Sequence, residues 1–349
     1  MTDSIAKKIT FTVDPEDFVL RHIFECGQCF RWEPVSEMGE EPFRGEMNGV
    51  FPSGTDNAYI GIAGGRVARV SLDVSGDASS DAGGNAGDDA GGNADDDASG
   101  KEATLMIEQL NSPEKSDDDD RSFWNNYFDL DTDYGAIKRI LSGDEVIRRA
   151  IPFGHGIRIL RQDPWETTVS FIISQNNNIP RIKRKIRDLS QLAGERVSIG
   201  NSTNEQTTDS AVQATEDNMK SIADNDWYEI PSPETLARMT VDDLAPVRLG
   251  YRARYLIETA QCVCDRGPEV LYEDLDSLCG VGPKVASCIR LFGLGQRESF
   301  PIDVWVKRVM NELYGIEKVE KMRRFAEDTF GEYGGISQQY LFYYMRERE

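Results

Sequence analysis

Residues 278–303, LCGVGPKVASCIRLFGLGQRESFPID, restrict this chain more than any other stretch. An apolar helix end runs into Gly280-Val281-Gly282, a second helix opens at Pro283 and Lys284, and a loop ends at Asp303. Two glycines around one apolar residue suit a tight turn, where positive φ or close backbone approach is needed. Pro283 fits the first helical position, because its missing N–H would have had no partner there. The unbonded N–H groups of the turn and helix start form a seat for a phosphate. Lys284 then stands at the positive end of a helix. Asp303 follows nineteen positions later, ahead of the apolar-periodic Val304, Val306, Val309 and Met310. Each feature has an ordinary reading as a turn, an N1 proline, a solvated lysine or an N-cap aspartate. It is the combination that calls for chemistry.

A chain of 349 residues holds two or three domains and a sizeable core. The N-terminal MTDSIAKKITFTV lacks an apolar h-region and a small-residue cleavage site, and the longest apolar runs are far too short to cross a bilayer. The expectation is a soluble, intracellular protein with no membrane partner. Its six Cys are expected as free thiols. Cys26 and Cys29 have CxxC spacing, but Cys262 and Cys264 are poorly spaced for zinc and only two His are present, so no metal site is expected.

The net charge of −22 looks wrong for a nucleic-acid binder. Part of the conflict comes from averaging. Asp77, Asp81, Asp88, Asp89, Asp95 to Asp97 and Asp117 to Asp120 crowd one region, and no Lys or Arg lies between Arg69 and Lys101. RIKRKIR (181–187), in contrast, has five positive residues in seven, and Arg248, Arg252 and Arg254 form a second cluster. Diffuse acidity with Asp-rich loops also fits a halophilic, archaeal origin.

β signals fill residues 8 to 70. Residues 9–13 alternate, 29–32 are strand-like, and 59–62 and 67–70 are bounded by glycines. About 75–101, DASSDAGGNAGDDAGGNADDDASG has almost nothing to bury and reads as a disordered acidic insertion between two strands. Helical patterning starts near Ser122 and continues to the end, interrupted by a second polar insertion at about 197–226. Asp163 as N-cap, Pro164 at N1 and Glu166 at N3 open one helix, and an aromatic-rich helix spans Ser337 to Arg348. The fold class is α+β, with an antiparallel sheet domain at 1–128 and helical regions at 129–245 and 246–349.

The stretch 278–303 resembles the helix-hairpin-helix motif of one DNA glycosylase superfamily, with its Gly/Pro-rich loop and essential Asp. FECGQCFRW (24–32), RQDPWETTVSFIISQNNNIPRI (161–182), LGYRARY (249–255) and FGEYGGISQQYLF (330–342) occur in the order found in the 8-oxoguanine DNA glycosylase family. The resemblance covers nearly all the chain outside the two insertions.

It implies a bifunctional DNA glycosylase and AP lyase that excises 8-oxoguanine opposite cytosine from double-stranded DNA. Lys284 would be the nucleophile, as in those superfamily members that also cut the backbone, and Asp303 the carboxylate that assists it. The turned-out base would lie against Gly27, Cys288, Pro301, Gln338 and Phe342. Asn176, Arg181, Tyr251 and Arg252 would fill the vacated helix and hold the orphaned cytosine, while Gly280, Val281 and Gly282 meet a phosphate. No cofactor is implied. Some superfamily members carry an iron–sulfur cluster just after the Asp, but no Cys follows Asp303 here. A monomer at work in the cytoplasm, on the nucleoid, is the corresponding expectation. Trp305 departs from the family pattern, in which His usually contacts DNA, and Pro180 reshapes the turn before Arg181. Two alternatives remain at this stage: a hairpin-type glycosylase for alkylated purines, which shares the Asp but lacks the Lys, and a non-catalytic DNA-binding module.

Overall fold

The alternation in KKITFTV is that of a half-buried strand, and Lys7–Val13 forms β1 with Ile9 and Phe11 buried between exposed neighbours. In the computed structural model, which describes residues 7–35, 58–74, 102–111, 119–199 and 226–348, β1 is one edge of a five-stranded antiparallel sheet. The other strands are β2 (Trp32–Pro34), β3 (Ala58–Ala63), β4 (Arg66–Asp73) and β5 (Ala103–Gln109), and the spatial order is β1-β5-β4-β3-β2. Register pairs Ile9 with Ile107 and Phe11 with Leu105, so one apolar face stays intact from strand to strand. The acidic stretch at 75–101 lies outside the described residues and connects the adjacent strands β4 and β5.

Residues 7–35 are less purely β than their sequence suggests. Leu20–Phe24 is a short helix, α1, and residues 25–31 form a loop where a strand was expected from position 29. The aromatic residues explain the arrangement. Phe24 stacks on Trp32 with ring centroids 4.5 Å apart, and Trp32 Nε1 donates to the Tyr127 hydroxyl at 2.8 Å. Trp124 Nε1 donates to Gln109 Oε1 at 3.0 Å, so both buried indoles keep a hydrogen-bond partner.

Helices follow: α2 (Asp120–Tyr127), α3 (Tyr134–Leu141), α4 (Glu145–Ala150), α5 (Pro164–Ser174) and α6 (Ile179–Ala193). Asp163 caps α5 as its sequence predicts, accepting from the Glu166 N–H at 2.8 Å with Pro164 in the first turn. A two-stranded ladder, β6 (Arg196–Val197) with β7 (Trp227–Tyr228), closes the base of the second polar insertion, whose residues 200–225 lie outside the described ones. Val197 and Trp227 pack on Ile60, Ile62 and Val67, covering the face of β3 and β4 turned away from the main sheet core. This is why both faces of these strands are apolar.

Then come α7 (Pro233–Arg238), α8 (Arg252–Arg266), α9 (Val270–Glu273), α10 (Pro283–Phe292), α11 (Val304–Tyr314), α12 (Val319–Phe330) and α13 (Gly334–Glu347). One apolar cluster joins α3 to α13, while a second lies between the sheet, α1 and α2.

Polar side chains lock these two bodies together. Gln28, fully buried, donates to the carbonyls of Ile23 (2.9 Å) and Arg158 (2.8 Å) and accepts from the Leu160 N–H at 2.9 Å. Asp129, also buried, accepts from Arg161 Nε at 3.1 Å, Arg297 Nη2 at 2.7 Å and the Tyr134 hydroxyl at 3.1 Å. Removing one partner from such a group strands buried charge, which is strongly destabilising. The Arg297 contact matters for the site because Arg297 sits in the loop that leads to Asp303.

Candidate active site

The site is built at the start of two helices. Pro283 opens α10, and Lys284 and Cys288, four residues apart, share one of its faces. The half-buried Lys284 places Nζ 5.0 Å from the centroid of the Phe171 ring on α5. Asp303 caps α11, with Oδ1 accepting the Val306 N–H at 2.8 Å. The cap therefore fixes the carboxylate in space.

The charges of these groups act on one another. Burial pushes the Asp303 carboxyl above the usual carboxylate range, opposed by the Val306 N–H and then by the Lys284 ammonium. Burial likewise raises the Cys288 thiol, with Lys284 pulling it down and Asp303 pushing it up. Cys288 thus feels both an amine and a carboxylate, and burial keeps it a neutral thiol. Pro301, the other residue expected here from α10 and its loop, is buried two positions before Asp303. That loop is clamped on both sides: Ser299 Oγ donates to the Ser287 carbonyl at 2.9 Å, and the Gly335 N–H donates to the Arg297 carbonyl at 2.7 Å.

Gly27 and Phe342 meet each other. Gly27 has φ +78°, which only glycine adopts readily, and a methyl group there would sit 3.6 Å from Cε1 and Cζ of Phe342. The backbone of the loop between α1 and β2 therefore meets the ring on α13. Gln338, one turn earlier on α13, is buried and accepts from Gln339 Nε2 at 2.8 Å. The CxxC flanking Gly27 belongs to the core. Cys26 Sγ donates to the Ile23 carbonyl at 3.3 Å, and burial pushes its thiol up to about 12. Among the described residues, no group of three or more His, Cys, Asp or Glu side chains could hold a metal ion.

The residues expected to enter the helix lie around one exposed turn. Asn176 is in left-handed conformation (φ +47°) and donates from Nδ2 to the Tyr251 hydroxyl at 3.2 Å. Tyr251 is 47% exposed. Arg181 is exposed in the first turn of α6, which Asn178 caps. Arg252 differs from its neighbours in being buried. Its guanidinium donates to the carbonyls of Gln175, Asn176 (3.3 Å) and Leu249 (3.2 Å), and its Cζ lies 4.5 Å from the Tyr251 ring centroid. As placed, Arg252 holds the turn that displays Asn176 and Tyr251. Lys185 is depressed by burial and then by Arg252, Arg181 and Arg248, with Asp188 the one opposing acid. Positive charge is thus concentrated here despite the acidic total.

In the hairpin, only Gly280 has positive φ (+77°), and a methyl group on it would lie 2.5 Å from Tyr255 Cδ2. Gly282 is ordinary extended backbone (φ −83°, ψ 176°), with no atom within 4 Å of a Cβ position. Its lack of a side chain answers to nothing inside the chain. Gln175 Nε2 ties the two regions by donating to the Gly280 carbonyl at 2.9 Å.

Sequence reasoning missed Phe171 as the wall beside Lys284, and Gln28 as the anchor of the Gly27 loop. Phe171 stands in an apolar run where any position could be core. Gln28 gave one usable signal, a polar residue between two Cys in an otherwise apolar segment.

Residues 10–168 match the family described as 8-oxoguanine DNA glycosylase, N-terminal domain, and residues 169–331 match the HhH-GPD superfamily base excision DNA repair protein family. The probable N-glycosylase/DNA lyase of Methanothermobacter thermautotrophicus is 30% identical over 236 residues, covering 63% of this chain and 72% of that protein. Among solved structures, MBOgg1 in complex with a low-affinity DNA ligand has a TM-score of 0.68 at 35% identity, covering 97% of this chain and 96% of its own. The Clostridium acetobutylicum 8-oxoguanine glycosylase/lyase, solved with double-stranded DNA containing cytosine opposite to 8-oxoG, has a TM-score of 0.68 at 31% identity, covering 100% of this chain and 99% of its own. The two family matches meet between residues 168 and 169, inside α5, and the second contains both Lys284 and Asp303; this chain belongs to the 8-oxoguanine DNA glycosylase family of the helix-hairpin-helix base-excision repair superfamily.

Proposed function

We propose that the protein removes 8-oxoguanine from duplex DNA opposite cytosine and then cuts the strand at the resulting abasic site. The observation that carries this reading is that Lys284 and Cys288 share one face of α10 and that the Cys288 thiol is acted on by both the Lys284 amine and the Asp303 carboxylate. The bond to be broken is out of reach inside the stack, so the damaged nucleotide must be turned out. Phe342 would stack on the purine from one side and Cys288 would lie on the other, with Pro301 beside it and Gln338 at its Watson–Crick edge. The Gly27 carbonyl would accept the N7–H that 8-oxoguanine has and guanine lacks; guanine would leave that carbonyl facing an acceptor.

Lys284 Nζ, as free amine, attacks C1′ while the bond from C1′ to the base breaks and the base leaves with a proton. Opening of the sugar gives a Schiff base. Loss of a C2′ proton then expels the 3′ phosphate by β-elimination. Asp303 stabilises the positive charge that develops on the sugar and assists the proton transfers. Asn176 and Tyr251 would fill the gap, Arg181 would meet the orphaned cytosine, and Arg252 would support all three. We read the enzyme as a monomer that works inside the cell on the nucleoid.

The test is incubation with an 8-oxoguanine:cytosine duplex labelled on the damaged strand. Cutting there and not in the undamaged duplex is the expected result. An intact duplex, or release of alkylated purines in its place, would overturn the reading.

The hairpin offers a separate check. Gly280→Ala should lower stability by about 1–3 kcal/mol, through strain at positive φ and the contact with Tyr255. Gly282→Ala should leave the melting temperature nearly unchanged yet weaken duplex binding by roughly tenfold, about 1.4 kcal/mol, because its methyl group occupies the phosphate approach. Equal melting and equal binding for both variants would remove the hairpin from the interface. As for origin, a halophilic source predicts melting temperatures that rise steadily from low to molar KCl, and insensitivity to KCl would refute it.

A further inference from the structure

Gln338, Phe342 and Arg346 follow one another at four-residue spacing and so share a face of α13. The first two were expected in the base pocket; nothing in the reaction as described uses the third. Yet Arg346 joins the loop that carries Gly27 to the helix that carries Phe342 by a hydrogen bond. Its Nη1 donates to the carbonyl of Glu25, two residues before Gly27. Its Cζ lies 5.7 Å from the Phe342 ring centroid and 4.9 Å from that of Tyr343. The guanidinium is itself held in place. Nη2 lies 3.0 Å from Glu347 Oε1, and the other oxygen of Glu347 lies 3.5 Å from Arg21 Nη2. Glu25, whose carbonyl Arg346 takes, has its own carboxylate fixed by Arg21 Nε (3.4 Å) and by the Tyr59 hydroxyl (2.5 Å).

We infer that Arg346 is a positioning residue that sets lesion selectivity, by tying the Gly27 loop to α13 beside Phe342 and so fixing where the Gly27 carbonyl stands relative to that ring. This role presupposes the 8-oxoguanine activity proposed for the enzyme. A discriminator made of one backbone carbonyl works only if it stands at hydrogen-bonding distance from N7 of a base already stacked on Phe342. An error of several tenths of an ångström removes the difference between an accepted N7–H and a repelled lone pair. Gln28 anchors the far side of the loop to residues 158–160, and Arg346 is the matching anchor on the α13 side. The guanidinium near Phe342 also adds a fixed positive charge at the pocket wall.

The experiment compares two substrates on one variant. Arg346→Met keeps the side chain's length and apolar body but removes every donor. Excision of 8-oxoguanine opposite cytosine, measured in single turnover, should fall by about tenfold or more, most of it as weaker binding of the lesion. Cutting of a preformed abasic site, which has no base to hold, should stay within about twofold of wild type and shows that the variant is folded. Arg346→Lys, which retains the charge but not the fork, should lie between the two. Unchanged excision in Arg346→Met overturns the proposal, and so does an equal fall on both substrates. Should Arg346→Met fail to fold, the same comparison is made on Arg346→Lys with the same criteria. Failure of the underlying reading would look different: wild type itself would leave the 8-oxoguanine duplex uncut.

Discussion

Lys284→Gln is expected to abolish covalent capture of the enzyme on DNA. With wild type, borohydride reduces the Schiff base and leaves protein and strand joined; with the variant no such adduct should form. The reason is the nucleophile itself. Glutamine keeps a polar end of similar reach, but an amide nitrogen does not add to C1′, so excision should fall by at least roughly a thousandfold. The fold should tolerate the change, because Lys284 is half-buried beside Phe171 and is the second residue of a helix whose start is set by Pro283. Melting close to wild type with no trapping would isolate the chemistry. A variant that still traps fully would show that another amine attacks, and the assignment of Lys284 would be lost.

How much of this could be read without coordinates depends on how local each determinant is. The caps at Asp163 and Asp303, the proline at the head of α10 and the alternation in β1 are all fixed within a few residues, and each appears where the chain predicts it. The five-residue helix α1 was not legible because one turn and a half is too short to display a period of 3.6. Its aromatic Phe24 reads equally well as part of a strand. Gln28 and Asp129 were missed for a different reason. Each also binds a partner more than a hundred residues away, Arg158 for Gln28 and Arg297 for Asp129, and only the place of Gln28 between two Cys hints at a buried hub. Arg252 shows a third limit. Its position in LGYRARY marks it for the interface, yet only the fold reveals that its guanidinium turns inward to three carbonyls. Net charge misled most, since averaging hides the cluster of Arg181, Lys185, Arg248 and Arg252.

Asp303→Asn should separate catalysis from stability in opposite directions. Asparagine keeps the cap, since its side-chain oxygen can still accept the Val306 N–H that Asp303 Oδ1 now takes at 2.8 Å. It cannot supply negative charge to the sugar. Turnover should therefore drop by about 10²–10⁴-fold, while binding to lesion DNA changes little. Burial raises the folded carboxyl above its ordinary range, so the acid limb of the wild-type rate profile should lie above the roughly 3.9 of a free aspartate. The same shift fixes the sign for stability. A carboxyl with a raised folded pKa favours folding while it is protonated, an advantage present below the unfolded pKa and lost as pH rises through the folded one. At neutral pH the ionised Asp303 thus weakens the fold, and Asn, neutral throughout, does not. The variant should melt at or above the wild-type temperature near pH 7, and the two curves should converge in acid. Near-normal turnover would remove Asp303 from the chemistry. A variant that is inactive but also melts several degrees lower at pH 7 would mean that the carboxylate is there to hold the fold, and that its place opposite Lys284 is incidental.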